Sequence, residues 1–456
     1  STAPAPEKSL LFKLPEIKEL ELANGIKLFF IRKEKLPIVY TDVLIFAGSK
    51  LDPSEKRGLS YLTSLLIDEG AGEFDALELN EEFEKLGSLF SITSNHDMAS
   101  LTLLSLKENF VRSLELLSKI ILTPRFDKKD FDREKKKVLD RILQLKDEPS
   151  FIASTAFERR LFNEAYYAFP EIGYENTVAQ ISNDDVKKFH SENFTTSNTK
   201  LIVVGNLSED EVLESFNKSL NEWKSSVQSK AAFEKPMVKR SSTSFFFVHK
   251  ENSAQGEIRI GHISKKRDAE DFIPTRIMNT ILGGQFSSRI NHNLREEKGF
   301  TYGASSNYQY YQDAGSFEVS TAVNIENTGA AITEIINELH SIRENISRDE
   351  IEFAKSYLIK QFPSRFETYS QVAKNIEPLI IHQLPITELT EYTAKIESAT
   401  NEDVKWAALN NVFPDELIVV AVGDREKIFG QLKNVVGKDP IELDIYGNLI
   451  TCEKLD

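Results

Sequence analysis

Residues 181 to 206 of this chain recur near its end. Ile181 to Asn206 aligns without gaps on Ala399 to Asp424 at a constant shift of 218 residues. Asn183-x-Asp185-Val186-Lys187 matches Asn401-x-Asp403-Val404-Lys405, Asn193 matches Asn411, and Val204-Gly205 matches Val422-Gly423. Phe29 to Glu34 resembles Phe246 to Glu251 at nearly the same shift. A tandem duplication of this size restricts the fold to two related units. The 456 residues are in any case too many for a single core.

Each copy mixes hairpin strands with helical runs rather than alternating strand and helix strictly. The expected class is therefore α+β, with two homologous domains of mainly antiparallel sheet flanked by helices. Asn24-Gly25 between apolar runs predicts a hairpin. Ile38 to Phe46 reads as the next strand, the stretch around Tyr61 and Leu77 to Leu86 as helices, and the run after Gly87 as strands through Leu106. Apolar periodicity predicts helices over Asn109 to Leu122, Lys128 to Lys146 and Pro149 to Leu161. A short helix from Asp184 and the strand Lys200 to Val204 close the first copy. The expected divisions are a tether over 1–15, a first domain over 16–224, a polar linker over 225–244 and a second domain over 245–456.

A formal charge of −15 argues against a nucleic-acid surface or an anionic membrane face, which need clustered cations. No apolar run reaches the length of a membrane span. The lone Cys452 excludes an internal disulfide framework. The opening Ser-Thr-Ala-Pro-Ala-Pro-Glu-Lys reads as a tether left by removal of a targeting segment.

Two stretches carry the chemistry. The first is Arg57-Gly58-Leu59-Ser60-Tyr61-Leu62-Thr63-Ser64-Leu65-Leu66. The second runs from Gly283-Gly284-Gln285-Phe286-Ser287-Ser288-Arg289 to Arg295-Glu296-Glu297-Lys298-Gly299-Phe300-Thr301-Tyr302. Both resemble motifs of the pitrilysin/insulinase family of zinc peptidases, and the resemblance extends along nearly the whole chain. It implies two homologous domains making one half of a clamshell around a peptide chamber.

In active members the helix begins G-x-x-H-x-x-E-H, two His holding zinc and the Glu activating water. Laid on that pattern from Gly58, the three positions are Tyr61, Ser64 and Leu65. A phenol is a poor zinc ligand, a hydroxyl is no base at neutral pH, and Leu has no lone pair. The remaining ligand lies in a later helix, seven residues after another Glu. Here Phe131 to Arg141 keeps Glu134 and places Arg141 at the ligand position, a cation hostile to metal. The spacing of seven would let Glu134 and Arg141 pair on one helix face. The seven His (His96, His190, His249, His262, His292, His340, His382) show no i, i+3 or i, i+4 spacing and read as surface or hydrogen-bonded groups. Asp68-Glu69 and Glu81-Glu82 read as solvated faces. No metal is expected in this chain.

The second stretch resembles an intact family signature whose Arg and Tyr reach the scissile peptide, here Arg295 and Tyr302. Both donate hydrogen bonds and can stabilise an oxyanion on the substrate carbonyl. Otherwise they would be a helix-terminal Arg and a packing Tyr. The resemblance implies a non-catalytic subunit of a heterodimeric zinc endopeptidase, lending this pair to a partner that bears HxxEH and zinc. Its substrate would be a peptide or unfolded segment. The alternative is a structural or peptide-binding scaffold without proteolysis. The zinc-less mitochondrial subunit carries a Gly-rich loop, but Leu282 to Phe286 has only two Gly. A bacterial periplasm is therefore the expected compartment, the mitochondrial matrix the alternative. Peptide could add to a strand near Ser91 to Asn95 or Thr102 to Leu106, and Tyr308, Tyr310 and Tyr311 could line the chamber. All could equally be ordinary sheet surface.

Overall fold

The computed structural model describes residues 14–223 and 241–450. Most of the expected tether and linker, and Cys452, lie outside the described residues.

The first half forms a six-stranded sheet in the order β1-β2-β8-β3-β7-β6. Its strands are β1 (Lys18–Glu21), β2 (Lys27–Arg32), β3 (Ile38–Ile45), β6 (Leu89–Ser94), β7 (Ala99–Leu106) and β8 (Thr199–Gly205), with a small ribbon β4 (Gly70–Ala71) and β5 (Phe74–Asp75) apart. The Asn24-Gly25 turn closes β1 on β2 as expected, with Gly25 at φ +84°, a left-handed conformation suited to Gly. The second half repeats the order as β14-β9-β13-β10-β12-β11. Here the strands are β9 (Ser244–His249), β10 (Gln255–Ser264), β11 (Thr301–Tyr310), β12 (Gly315–Asn324), β13 (Ile418–Gly423) and β14 (Ile441–Leu443). Only β2 with β8, β9 with β13 and β9 with β14 pair in parallel among the six-stranded ladders. The fold is the mainly antiparallel α+β duplication expected from the sequence.

The repeated Asn-x-Asp segment is a helix start. In the helix Asn183–Asn193, Ser182 Oγ accepts from Asp185 N at 3.2 Å and the Asp185 carboxylate accepts from Ser182 N at 2.8 Å. In Asn401–Asn411, Thr400 and Asp403 repeat the exchange at 3.1 and 2.8 Å. Both are reciprocal caps that satisfy otherwise orphaned backbone donors.

The sheets are separate, but their helical covers are exchanged. Helix Pro149–Phe162 of the first half lies on β10 and β13 of the second sheet, where Ile152, Ala156 and Phe157 pack with Phe246, Ile418 and Val420. Helix Tyr369–Ile381 of the second half lies on β3 and β8 of the first sheet, joining Val372 and Ile376 to Leu44 and Ile202 in one core. The two helices are themselves duplicates, offset by about the shift of the repeat. Gly261 on β10 makes the first approach possible: a Cβ there would stand 1.9 Å from Phe317 O and 2.9 Å from Phe157 Cζ. No helix among the described residues is long and apolar enough to cross a membrane.

Candidate functional site

Helix Leu59–Leu66 starts at Gly58, whose φ of +95° favours Gly, and Asp52 accepts from Gly58 N and Ser60 N at 2.8 Å each. It packs on helix Lys128–Leu145. The four altered metal positions therefore sit on two adjoining helices. Burial raises the Tyr61 phenol above its ordinary range, and the charge of Arg141 opposes that shift. Ser64 is buried with no partner for its Oγ, and Leu65 packs against the core. Arg141 Nη1 donates to Glu148 Oε1 at 2.8 Å.

The expected Glu134–Arg141 pair does not form. Glu134 is taken by Lys137 at 2.7 Å and by Arg133 Nε at 2.9 Å, both nearer along the helix. Burial opposes its ionisation, but these cations prevail and hold the carboxyl below its usual range. A phenol, a hydroxyl, an alkyl group and a guanidinium already held by Glu148 do not fit a zinc ion. Among the described residues no group of three His, Cys, Asp or Glu is placed to hold a metal.

Arg295 and Tyr302 do come together, at the β11 edge of the second sheet. Both line one cleft of about 560 Å³, with Phe286, Glu257, Arg259 and Ser305 among its walls. Arg295 sits in a π-helical turn, His292–Glu297, a rare widening of the helix often found at functional sites. Its guanidinium lies over the Phe286 ring, and its Nε is 3.4 Å from Glu296 Oε1. Tyr302 is 91% exposed, so it packs no strand. A bulge between Thr301 and Ala304 interrupts the β11–β12 register and turns Tyr302 outward. Thr301 Oγ1 donates to Ala322 O at 2.6 Å and accepts from Gly303 N at 3.1 Å, which fixes the bulge.

The rest of the signature builds this cleft. Asn291 Nδ2 donates to Phe286 O at 2.6 Å while its Oδ1 accepts from Ala304 N at 3.0 Å, joining the glycine loop to β11. Gly283 lies so close to β11 that a Cβ would stand 2.3 Å from Ser306 Oγ and 2.6 Å from Ser306 N. Arg289 binds Glu350 through Nε at 2.6 Å and Nη2 at 2.8 Å, anchoring the turn to helix Arg348–Gln361. Burial alone would raise the Glu350 carboxyl, but Arg289 and the Ser347 amide and hydroxyl hold it at about 2.

Ser91 to Ser94 lies in β6, the free edge strand, so its backbone is open to pairing. Within β7, Thr102 to Leu104 pair on both sides and have no edge to offer, while Ser105 and Leu106 pair with β3. Tyr308 turns toward the helices, donating to Asn411 O at 2.7 Å, and Tyr310 packs on Phe272. Tyr311 lines a cavity of about 150 Å³, beside Glu158 and Glu318. Asp68 is not a solvated group: burial pushes its carboxyl up to about 6, while Glu69 binds Arg133. The sequence reading missed Phe286, which falls at an unspecified position of the signature. It also missed Arg259 and Glu318, which show only as alternate residues on strands.

Two duplicated sheets, two adjoining helices carrying Tyr61, Ser64, Leu65 and Arg141, and a cleft lined by Arg295 and Tyr302 define a zinc-peptidase-like chain. The chain belongs to peptidase family M16: residues 28–169 match "Insulinase (Peptidase family M16)" and residues 180–358 match "Peptidase M16 inactive domain". It is 22% identical over 413 residues to the "Non-peptidase homolog YmxG" of Helicobacter pylori, covering 85% of this chain and 94% of that protein. It is 23% identical over 412 residues to the "Zinc protease PqqE" of the same organism, covering 88% and 91%. A solved peptidase M16 inactive domain from Pseudomonas fluorescens superposes with a TM-score of 0.83 at 23% identity, covering 90% of this chain and 98% of that one.

Proposed function

We propose that this chain is the non-catalytic subunit of a heterodimeric zinc endopeptidase and supplies Arg295 and Tyr302 to the partner's active site. The observation that carries the reading is the contrast between the two halves. The three ligand positions hold a phenol, an alkyl group and a guanidinium and the base position holds a hydroxyl, while Arg295 and Tyr302 share an open cleft. The relatives support it: one organism contributes both a non-peptidase homolog and a zinc protease of similar length.

In this reading the two chains close on each other as halves of a shell, and the partner supplies zinc and the attacking water. The residues of this chain bind and orient. The Arg295 guanidinium and the Tyr302 hydroxyl donate to the carbonyl oxygen of the scissile peptide as negative charge grows there. An exposed phenol suits this role, because closure of the shell completes its surroundings. The extended peptide would run along the free edge of β6 or its counterpart in the partner.

The test measures peptide hydrolysis by this chain, by an HxxEH-bearing relative and by the mixture, with zinc counted in each. Activity confined to the mixture is expected. Arg295→Ala or Tyr302→Phe should then lower its kcat by roughly 10²-fold with assembly intact. No gain on mixing would refute the shared site and leave a peptide-binding scaffold.

A further inference from the structure

Arg295 and Tyr302 stand on different segments, and among the described residues neither side chain is held by a hydrogen bond to another element of the fold. Arg295 touches the Phe286 ring and Glu296, and Tyr302 is almost wholly exposed. Their separation is therefore set by the backbones that carry them. These are the loop bearing Phe286, the π-helical turn His292–Glu297 and the bulge between Thr301 and Ala304.

Asn291 joins these segments. It ends the helical turn Arg289–Asn291, directly before the π-helical turn, and is 4% exposed beneath the cleft. Its Nδ2 donates to Phe286 O at 2.6 Å, and its Oδ1 accepts from Ala304 N at 3.0 Å. The direction of both bonds is forced, since a backbone N–H only donates and a carbonyl only accepts. The same oxygen would lie 3.9 Å from a Cβ on Gly303, which puts it against the bulge itself. One amide thus reaches from the residue whose ring lies on Arg295 to the residue that follows Tyr302-Gly303. Asp has no donor for Phe286 O, Leu has neither group, and Gln is longer by a methylene.

The loop has other moorings. Ser306 N donates to Gly283 O at 3.0 Å, and Asn279 Nδ2 donates to Ser306 O at 3.0 Å. These bonds keep the glycine loop on β11 when Asn291 is changed, so its loss should displace the cleft without unfolding it.

We propose that Asn291 is the positioning residue of the cleft. It fixes the Arg295 guanidinium through Phe286, and the Tyr302 hydroxyl through the bulge, at the separation that one carbonyl oxygen requires. The role rests on the shared-site reading above and adds the group that sets its geometry. A displacement of about 1 Å in such a pair can cost about a hundredfold in rate.

The experiment measures kcat and KM of the mixture with an HxxEH-bearing relative, using the parent chain, Asn291→Ala, the Arg295→Ala/Tyr302→Phe double variant and the triple variant. Asn291→Ala should lower kcat by about 10- to 100-fold with KM within about twofold of the parent. Added to the double variant, it should lower kcat by no more than about twofold, because it acts through the two residues already removed. Asn291→Asp keeps the shape and loses the donor, so it should lower kcat by about threefold or more and gives a second reading if Asn291→Ala does not fold. Melting temperatures and the yield of complex report folding and assembly. In the chain alone, amide exchange over residues 300–306 should quicken in Asn291→Ala while that of β12 stays as in the parent. Parent-like kcat in both Asn291 variants, or unaltered exchange over 300–306, would overturn the positioning role. So would an equal fall in kcat when Asn291→Ala is added to the double variant, which marks a general loss of structure. Parent-like kcat in the double variant would overturn the shared site itself, and the role of Asn291 with it.

Discussion

The Arg295 guanidinium stands 4.5 Å from the centre of the Phe286 ring, and Phe286 is itself 66% exposed. A large apolar ring held at the surface over a cation does not stabilise the core. It restricts where the guanidinium can point. Asn291 holds the backbone of Phe286, so the ring, the loop and the π-helical turn are fixed together.

Removing the ring should therefore loosen Arg295 without removing it. In the proposed heterodimer, Phe286→Ala should lower kcat by about two- to fivefold, the range of an exposed cation–π contact, with Phe286→Tyr close to the parent. A Phe286→Ala effect on KM alone would show that the ring touches substrate rather than positioning Arg295.

The two helices that carry the altered metal positions are already packed on each other. Restoring Tyr61→His, Ser64→Glu, Leu65→His and Arg141→Glu together should yield about one zinc per chain by elemental analysis, as a site with two His and a Glu would hold. Arg141→Glu is essential, since a guanidinium there repels the ion. Zinc no higher than in the parent would show that the helices have shifted as well as changed residues.

The Arg289–Glu350 pair should make stability depend on acidity. Glu350 is held at about 2 against an ordinary 4.5, so its contribution is present above 4.5 and lost as pH falls toward about 2. After discounting for partial exposure, Arg289→Ala should cost about 1 kcal/mol at neutral pH. Urea midpoints across that window should slope less in Glu350→Gln than in the parent.

His96 should act in the opposite direction. Burial opposes its charge, but Glu171, 2.9 Å from Nδ1, outweighs this and holds the imidazole at about 9 against an ordinary 6.5. Its stabilisation is complete below 6.5 and lost as pH rises through about 9, a change of order 3 kcal/mol. Glu171→Gln should flatten the denaturation profile over that range. An unchanged slope would place the titration elsewhere.

The sequence showed the duplication because its strongest match is local: a cap, a helix and a strand written in consecutive residues around Asp185 and Asp403. It placed Tyr61, Ser64 and Leu65 on one helix and Arg141 on another, and the structure packs those two helices together. It did not show that helix Pro149–Phe162 covers the other half's sheet, because helical periodicity marks an apolar face and not the surface that meets it. The Glu134–Arg141 pairing failed for a related reason: spacing made it possible, but Lys137 and Arg133 compete at shorter reach. The outward turn of Tyr302 depends on a bulge, and Thr301-Tyr302-Gly303 has no unique bulge signature.

The exchanged helices make each sheet depend on the other half for its lid. A chain severed between residues 223 and 241 would give two fragments, each with one apolar sheet face bare and one helix without a seat. Neither could serve as a spare part for the other's function until both were present, so complementation should be all or nothing. Continuity of the backbone is then a matter of convenience, and the unit that natural selection can remove or replace is the interlocked whole.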